Sequence, residues 1–225
     1  MEKSLVTLTI GQSPRSDILP LLEAHLPAEQ VAHAGLLDDL TLAEVEQLYA
    51  PAPGEKVLVS RLLGGEQVRL SATKVEQGLQ RSISQLEQQG YGTILLLCTG
   101  AFGTLKTESA LLLEPDRIIP PLVNAIVQQH KVGIVVPVAE QIAEQASKWR
   151  NLATAPCFAV ASPYLAQQSD LIEAGLSLQE QGADVVVLDC IGYHQKHRDF
   201  LQKMLGIPVL LSNVLVAKLA AELIV

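Results

Sequence analysis

The chain has 225 residues, 48% of them hydrophobic and 18% charged, with a formal net charge of −8, enough apolar material for one large core or two intimate halves. The acidic balance, with no basic run and no aromatic-basic cluster, argues against nucleic acid or an anionic membrane as the main partner and leaves a small molecule as the expected one. Three cysteines, far apart and odd in number, make no disulfide framework, and with no signal peptide before the first strand a reducing cytoplasm is expected.

In chain order, Leu5 to Ile10 reads as a strand, Gly11 to Ser13 as a turn, and Ser13-Pro14 as the cap of a helix to about His25, with Pro14 in the favoured first position. Val31 to Leu37 reads as a second strand, Leu42 to Tyr49 as a helix, and Val57 to Leu63 with Val68 to Leu70 as a hairpin around Gly64-Gly65. Ser71 caps a long helix to Gln89 ahead of a strand at Thr93 to Leu97. A Gly/Thr-rich loop, the short run Ala110 to Leu113 and a helix from about Asp116 to Gln129 follow, the last opened by Glu114-Pro115-Asp116. The strand Val132 to Val136 ends at Pro137. A helix over about Ala139 to Arg150, the run Cys157 to Ala161 and a helix from Ser169 to Gln181 lead to the strand Val185 to Leu188. A helix after Tyr193, a strand at Ile207 to Leu211 and a last helix close the chain. The apolar tail is cut by Ser212, Asn213, Lys218 and Glu222, so it reads as strand, cap and amphipathic helix rather than a membrane span.

The chain repeats itself around a thiol. Residues 86–100, LEQQGYGTILLLCTG, and residues 178–192, LQEQGADVVVLDCIG, align with a cysteine and two glycines in register. Gly90 and Gly182 suit the left-handed residue that closes a helix. The apolar runs between have no polar alternation, the pattern of strands covered on both faces of a parallel sheet. Cys98 and Cys190 then sit at carboxyl strand ends, the edge where open α/β sheets bind ligands. If the halves face each other, a planar ligand meets one sulfur from each side, the geometry for taking a proton from one face and returning it to the other. The first strands end at Ile10 and Val136, so the distances to the cysteines are 98 − 10 = 88 and 190 − 136 = 54 residues. The excess falls in the segment from Val31 to Leu70, a lid, an edge or an oligomer contact.

In TIGQSPRSDILPLLE, LLLEPDRIIPPLV, VGIVVPVAEQ and the stretch from Gly182 to the C-terminus, the chain resembles the AroM proteins, near the aspartate/glutamate/hydantoin racemase superfamily. The resemblance implies an α/β fold of two pseudo-symmetric, doubly wound parallel-sheet halves, Asp/Glu racemase-like. The halves would be residues 1–115 and 116–211, with the helix 212–225 packing on the first. It also implies Cys98 and Cys190 as cofactor-independent acid and base, with Thr99, Gly100, Ile191 and Gly192 holding a carboxylate. Cys98-Thr99-Gly100 and Cys190-Ile191-Gly192 depart from the Cys-Asn-Thr and Cys-Thr-His of many amino-acid racemases and come closer to the hydantoin racemase and malonate decarboxylase branches.

No Gly-rich nucleotide loop, Walker sequence or Ser-His-Asp elbow occurs, so no cofactor is expected. A free thiol near pKa 8.5 needs a helix N-terminus or a cation to serve as a base. No lysine lies nearby in sequence, and Arg15, with Ser13 and Gly11 at the mouth of the first strand, is the expected grip on a substrate carboxylate. Pro137 and Tyr193 complete the expected pocket. Taken singly, each has a plainer reading: a lone cysteine is a small buried hydrophobe, as Cys157 is expected to be, and Ser13-Pro14 is a cap. His194 and His197 lack a third ligand and read as capping or core residues, so no metal is expected. The leading expectation is a racemase, epimerase or isomerase of a small carboxylate or cyclic amide. The alternatives are a decarboxylase with one protonating cysteine, or a metabolite-binding or regulatory protein in an aromatic-biosynthesis context that the family name suggests. A symmetric homodimer is the default assembly.

Overall fold

The computed structural model describes residues 4–165 and 167–224, so residues 1–3 of the expected first half and Val225 of the expected tail helix lie outside the described residues. The chain runs β1 (Leu5–Thr9), α1 (Leu19–Glu23), β2 (Val31–Gly35), α2 (Leu42–Tyr49), β3 (Val57–Arg61), β4 (Gln67–Ser71), α3 (Ala72–Gln88), β5 (Thr93–Leu97) and β6 (Leu111–Leu113). It continues through α4 (Pro115–Val127), β7 (Val132–Val136), α5 (Ile142–Lys148), β8 (Cys157–Val160), α6 (Gln168–Glu180), β9 (Val185–Leu188), α7 (Gln195–Leu205), β10 (Val209–Leu211) and α8 (Ser212–Ala221).

Two four-stranded sheets form, both wholly parallel, in the orders β2-β1-β5-β6 and β8-β7-β9-β10. Each therefore starts in its middle, steps outward, and returns to the other side. Gly90 and Gly182 both take positive φ just after α3 and α6, as the repeat demands. Because alternate residues of a strand face opposite ways, each sheet feeds two cores. Leu5, Leu95 and Leu97 of the first sheet and Val132, Ile134, Val136 and Val187 of the second share one core with α1, α4 and α8. The opposite residues, Val6, Leu8, Ile94 and Leu96, pack on α3 and the β3–β4 hairpin, while Val135, Val186 and Leu188 pack on α6 and α7. The tail helix α8 lies against α1 and α4 in the layer between the sheets. Among the described residues no helix is long and apolar enough to cross a membrane.

Several local readings change. The Ser13-Pro14 peptide is cis and no helix begins there; α1 starts at Leu19 and Pro20, and the Ser13 hydroxyl and N–H both donate to the Asp38 carboxylate. The expected helix over 139–150 is a 3-10 turn at Ala139–Gln141 followed by the shorter α5. Ser212 and Asn213 start α8 without capping it. The excess of the first half also begins later than expected: β2 pairs with β1 as β8 pairs with β7, so the insertion is α2 and the antiparallel β3–β4 hairpin. Thr41 and Glu44 close a capping box on α2.

Ile134, fully buried in β7 where the two sheets share their core, is expected to cost about 3 kcal/mol when truncated to Ala, read as a lowered urea midpoint at unchanged slope.

Candidate active site

Cys98 follows β5 and Cys190 follows β9, each beside the point where its sheet's strand order reverses. Both line a single cleft with Arg15, Thr99, Gly100, Pro137 and Ile191. The Gly100 N–H donates to Cys98 Sγ at 3.3 Å, so the first Cys-x-Gly loop folds an amide back onto its own sulfur, and at the second loop the Gly192 amide opposes the rise of the Cys190 thiol. A side chain at Gly100 would run into Leu58, and one at Gly192 into the Tyr164 ring.

Burial pushes the Cys98 thiol up to about 12, against the Gly100 amide and Lys148, with Cys190 adding to the rise. Cys190 is raised for the same first reason, opposed by the Gly192 amide, Arg15 and Tyr164. Both sulfurs are therefore held as neutral thiols.

The two thiol loops are tied to one another by a buried cation. Lys148 Nζ, at the end of α5, donates to Asp189 Oδ2 at 2.7 Å and to the Thr99 carbonyl at 2.8 Å, and stands 3.7 Å from Asp116 Oδ1. Thr99 Oγ1 donates to the Asp189 carbonyl at 3.1 Å. The Lys148 and Asp189 side chains are 2% and 0% exposed. Ser212 Oγ supports Asp189 Oδ1 at 3.3 Å, and Asn213 Nδ2 donates to the Ile191 and Tyr193 carbonyls at 2.8 and 2.7 Å. Ser212 and Asn213 thus brace the second thiol loop. Asp189 faces Lys148, and its charge still adds to the rise of the Cys190 thiol. Lys148 escaped the sequence reading because it is remote from both cysteines along the chain. The available signal was Asp189 itself, an acid closing an all-apolar strand, which requires a buried partner.

On the opposite wall Arg15, 4% exposed, donates through Nε and Nη2 to Asp17 at 2.8 and 2.6 Å and through Nη2 to the Tyr164 hydroxyl at 3.1 Å. Burial works against its charge, but Tyr164 and Asp17 more than offset that, and the guanidinium stays charged. The Tyr164 hydroxyl is also 3.9 Å from Cys190 Sγ, so this phenol bridges the cation and the second thiol. Burial raises its pKa and keeps it neutral. Tyr164 was not singled out because the loop after β8 has no motif; only the fold brings it to Arg15.

Other expected residues lie elsewhere. Ser13 is bound to Asp38, and Gly11 donates its N–H to Thr9 Oγ1 at 3.1 Å. Tyr193 is buried with its hydroxyl on the Ala161 carbonyl at 2.6 Å. It lines a separate groove with His197 and Phe200. The His194 N–H donates to His197 Nδ1 at 2.9 Å, and burial holds His197 down at about 4. Cys157 sits in β8 with its sulfur 3.8 Å from the Val132 carbonyl.

Two outcomes follow. Lys148→Met strands the Asp189 carboxylate without its cation and is expected to lower unfolding free energy by about 3–5 kcal/mol, measured by denaturant titration at pH 7. With Cys98 near 12 against about 8.5 in an unfolded chain, iodoacetamide at pH 7.5 is expected to alkylate Cys98 roughly a thousandfold more slowly in the folded protein than in urea, as read by peptide mass spectrometry.

Among solved structures, this chain is similar to glutamate racemase isoform RacE1 from Bacillus anthracis, with a TM-score of 0.63 at 14% identity over 98% of this chain and 81% of that one. Allantoin racemase from Klebsiella pneumoniae gives 0.59 at 13% identity over 97% and 86%, and arylmalonate decarboxylase 0.56 at 12% over 98% and 91%. These likenesses establish the Asp/Glu racemase fold for the two parallel sheets described above. No curated protein matches the sequence significantly. The sequence profile of the AroM protein family matches residues 5–224, and the chain belongs to that family.

Proposed function

We propose that this protein is a cofactor-independent racemase, epimerase or isomerase of a small carboxylate or cyclic amide, with Cys98 and Cys190 as its acid and base. The observation that carries the reading is that two buried thiols, from the strand ends of two different sheets, line one cleft. Two of the similar structures are racemases of glutamate and allantoin. In this reading the halves 1–115 and 116–211, with the tail helix from Ser212 between them, work as one two-lobed unit.

One sulfur, as thiolate, removes the proton on the substrate's acidic carbon, and the C–H electron pair moves onto the adjacent carbonyl oxygen. The other sulfur, as thiol, returns a proton to the opposite face of that carbon, and the electron pair comes back to form the new C–H bond. The two sulfurs exchange roles with the hand of the substrate. Arg15 carries the developing negative charge. Glycine amides and the nearby cations work against the burial that holds each thiol neutral.

A decarboxylase reading draws on the same neutral thiols: after loss of carbon dioxide a single protonating cysteine suffices, and arylmalonate decarboxylase has this fold. Proton NMR in deuterated water separates the two. With pooled small carboxylates, amino acids and hydantoins, wild type is expected to interconvert enantiomers with loss of the α-proton signal. Cys98→Ser and Cys190→Ser are each expected to slow interconversion by about 10²–10⁴. Carbon dioxide release that survives loss of Cys98 would give the decarboxylase reading instead, and interconversion unaffected by either substitution would remove the thiols from the chemistry.

A further inference from the structure

The cleft between the two thiols is filled by its own walls. About 30 Å³ of free space remains in it, room for little more than a water molecule, so a carboxylic acid enters only if a side chain leaves. One cover is pinned. The β3–β4 hairpin meets the second sheet's side through Lys56 Nζ and Glu144 at 3.0 Å, through Arg69 Nη2 and Glu140 at 2.7 Å, and through Gln141 Nε2, which donates to the Val57 carbonyl at 3.1 Å. The other cover is the loop after β8, which is held at its root. There Ser162 Oγ donates to Gln67 Oε1 at 2.8 Å and accepts the Tyr164 and Leu165 N–H groups at 3.2 Å each. Leu165, the next residue along, is exposed to solvent.

Tyr164 reaches from that loop onto the groups that a bound acid would use. Arg15 gives Nε and Nη2 to the Asp17 carboxylate, and Nη2 also donates to the Tyr164 hydroxyl at 3.1 Å. Nη1 makes only a 3.5 Å contact with Thr9 Oγ1 among the described residues. The end of the guanidinium formed by Nη1 and Nη2, a fork that matches a carboxylate, is thus occupied by a single neutral oxygen. The phenol ring lies 5.6 Å from Arg15 Cζ and fills the space that Gly192 leaves by having no Cβ. Its hydroxyl is 3.9 Å from Cys190 Sγ. A carboxylate takes two charge-assisted hydrogen bonds from a guanidinium where the phenol takes one, so an anion is the stronger ligand for that place.

We infer that Tyr164 is a displaceable plug: its hydroxyl occupies the place on Arg15, beside Cys190, that a negatively charged oxygen of the ligand takes, and the side chain swings out from the Ser162 root as the ligand enters. The second thiol stays covered until then, and an anionic compound uncovers it more readily than a neutral one of the same shape. This rests on the proposed reading of Arg15 as the ligand's anchor and is independent of how the proton moves.

Two alkylating agents of matched shape, anionic iodoacetate and neutral iodoacetamide, test the plug on the full chain without any natural ligand. Their rates at Cys190 are read by peptide mass spectrometry at pH 7.5, and the ratio of the two rates cancels plain accessibility and thiol acidity. In Tyr164→Ala the ratio of iodoacetate to iodoacetamide is expected to rise about tenfold over wild type, because the freed guanidinium draws the anion. Adding Arg15→Gln is expected to return the ratio to the wild-type value. Tyr164→Phe, which keeps the ring against Gly192 and removes only the hydroxyl, is expected to raise the ratio about threefold and stands in if the alanine protein does not fold. An unchanged ratio, with both reagents accelerated alike, would make Tyr164 a shield over the sulfur and nothing more. A lowered ratio would make it a partner of the anion rather than its substitute. Either result overturns the plug, as does a raised ratio that survives Arg15→Gln. A raised, Arg15-dependent ratio in a protein that exchanges no substrate proton leaves this inference standing while the two-thiol reading falls. Proton exchange lost in both cysteine variants, alongside an unchanged ratio, does the reverse.

Discussion

The arrangement of the site depends on one buried ion pair. Lys148 binds the Asp189 carboxylate and the Thr99 carbonyl at once, and those two residues are the neighbours of Cys190 and Cys98. Two loops that leave different sheets are thereby held by a single ammonium group. An ion pair with both partners out of water stabilises a fold little on net, because desolvation consumes most of the attraction. What it contributes here is registry: the Thr99 hydroxyl reaches back to the Asp189 carbonyl, so the two loops contact each other as well as the cation. Lys148 also opposes the burial that raises Cys98, so the group that aligns the thiols tunes one of them.

Around this tie the cleft is built from covers of opposite origin. The first half contributes the inserted hairpin, and the second contributes Tyr164 from the short loop after β8; Ser162 and Gln67 join the two covers at 2.8 Å. Tyr164 places a neutral hydroxyl between Arg15 and Cys190, where an oxygen of a bound acid would find both a cation and a proton donor. The pseudo-symmetry therefore stops at the backbone. The two thiols are equivalent in their loops and glycine amides, but the groups facing them differ, as suits a ligand whose two ends differ.

The repeat was the legible part. Its helix end, glycine, apolar strand and Cys-x-Gly loop appear twice in the sequence and twice in the structure, because each step has a local cause: a left-handed residue at Gly90 and Gly182, and strands covered on both faces. The α2 helix was legible for the same reason, its Thr41 and Glu44 cap being local. Ser13 was misread because a serine before proline looks like a helix cap, whereas its hydroxyl and N–H turn to Asp38, 25 residues on. Lys148 and Tyr164 carry no local signature: each reaches the cleft through packing between elements far apart in the chain. Arg15 lines the cleft, and its pairing with Asp17 and Tyr164 emerges only in three dimensions.

The account's central claim, that one ligand lies between the two sulfurs, is tested most directly by a crystal structure of the wild-type protein soaked with malonate. The account predicts the dicarboxylate between Cys98 and Cys190, with one carboxylate on Arg15 in the place of the Tyr164 hydroxyl. Malonate seated instead in the groove beside Tyr193 and Phe200, with the thiol cleft unchanged, would contradict it.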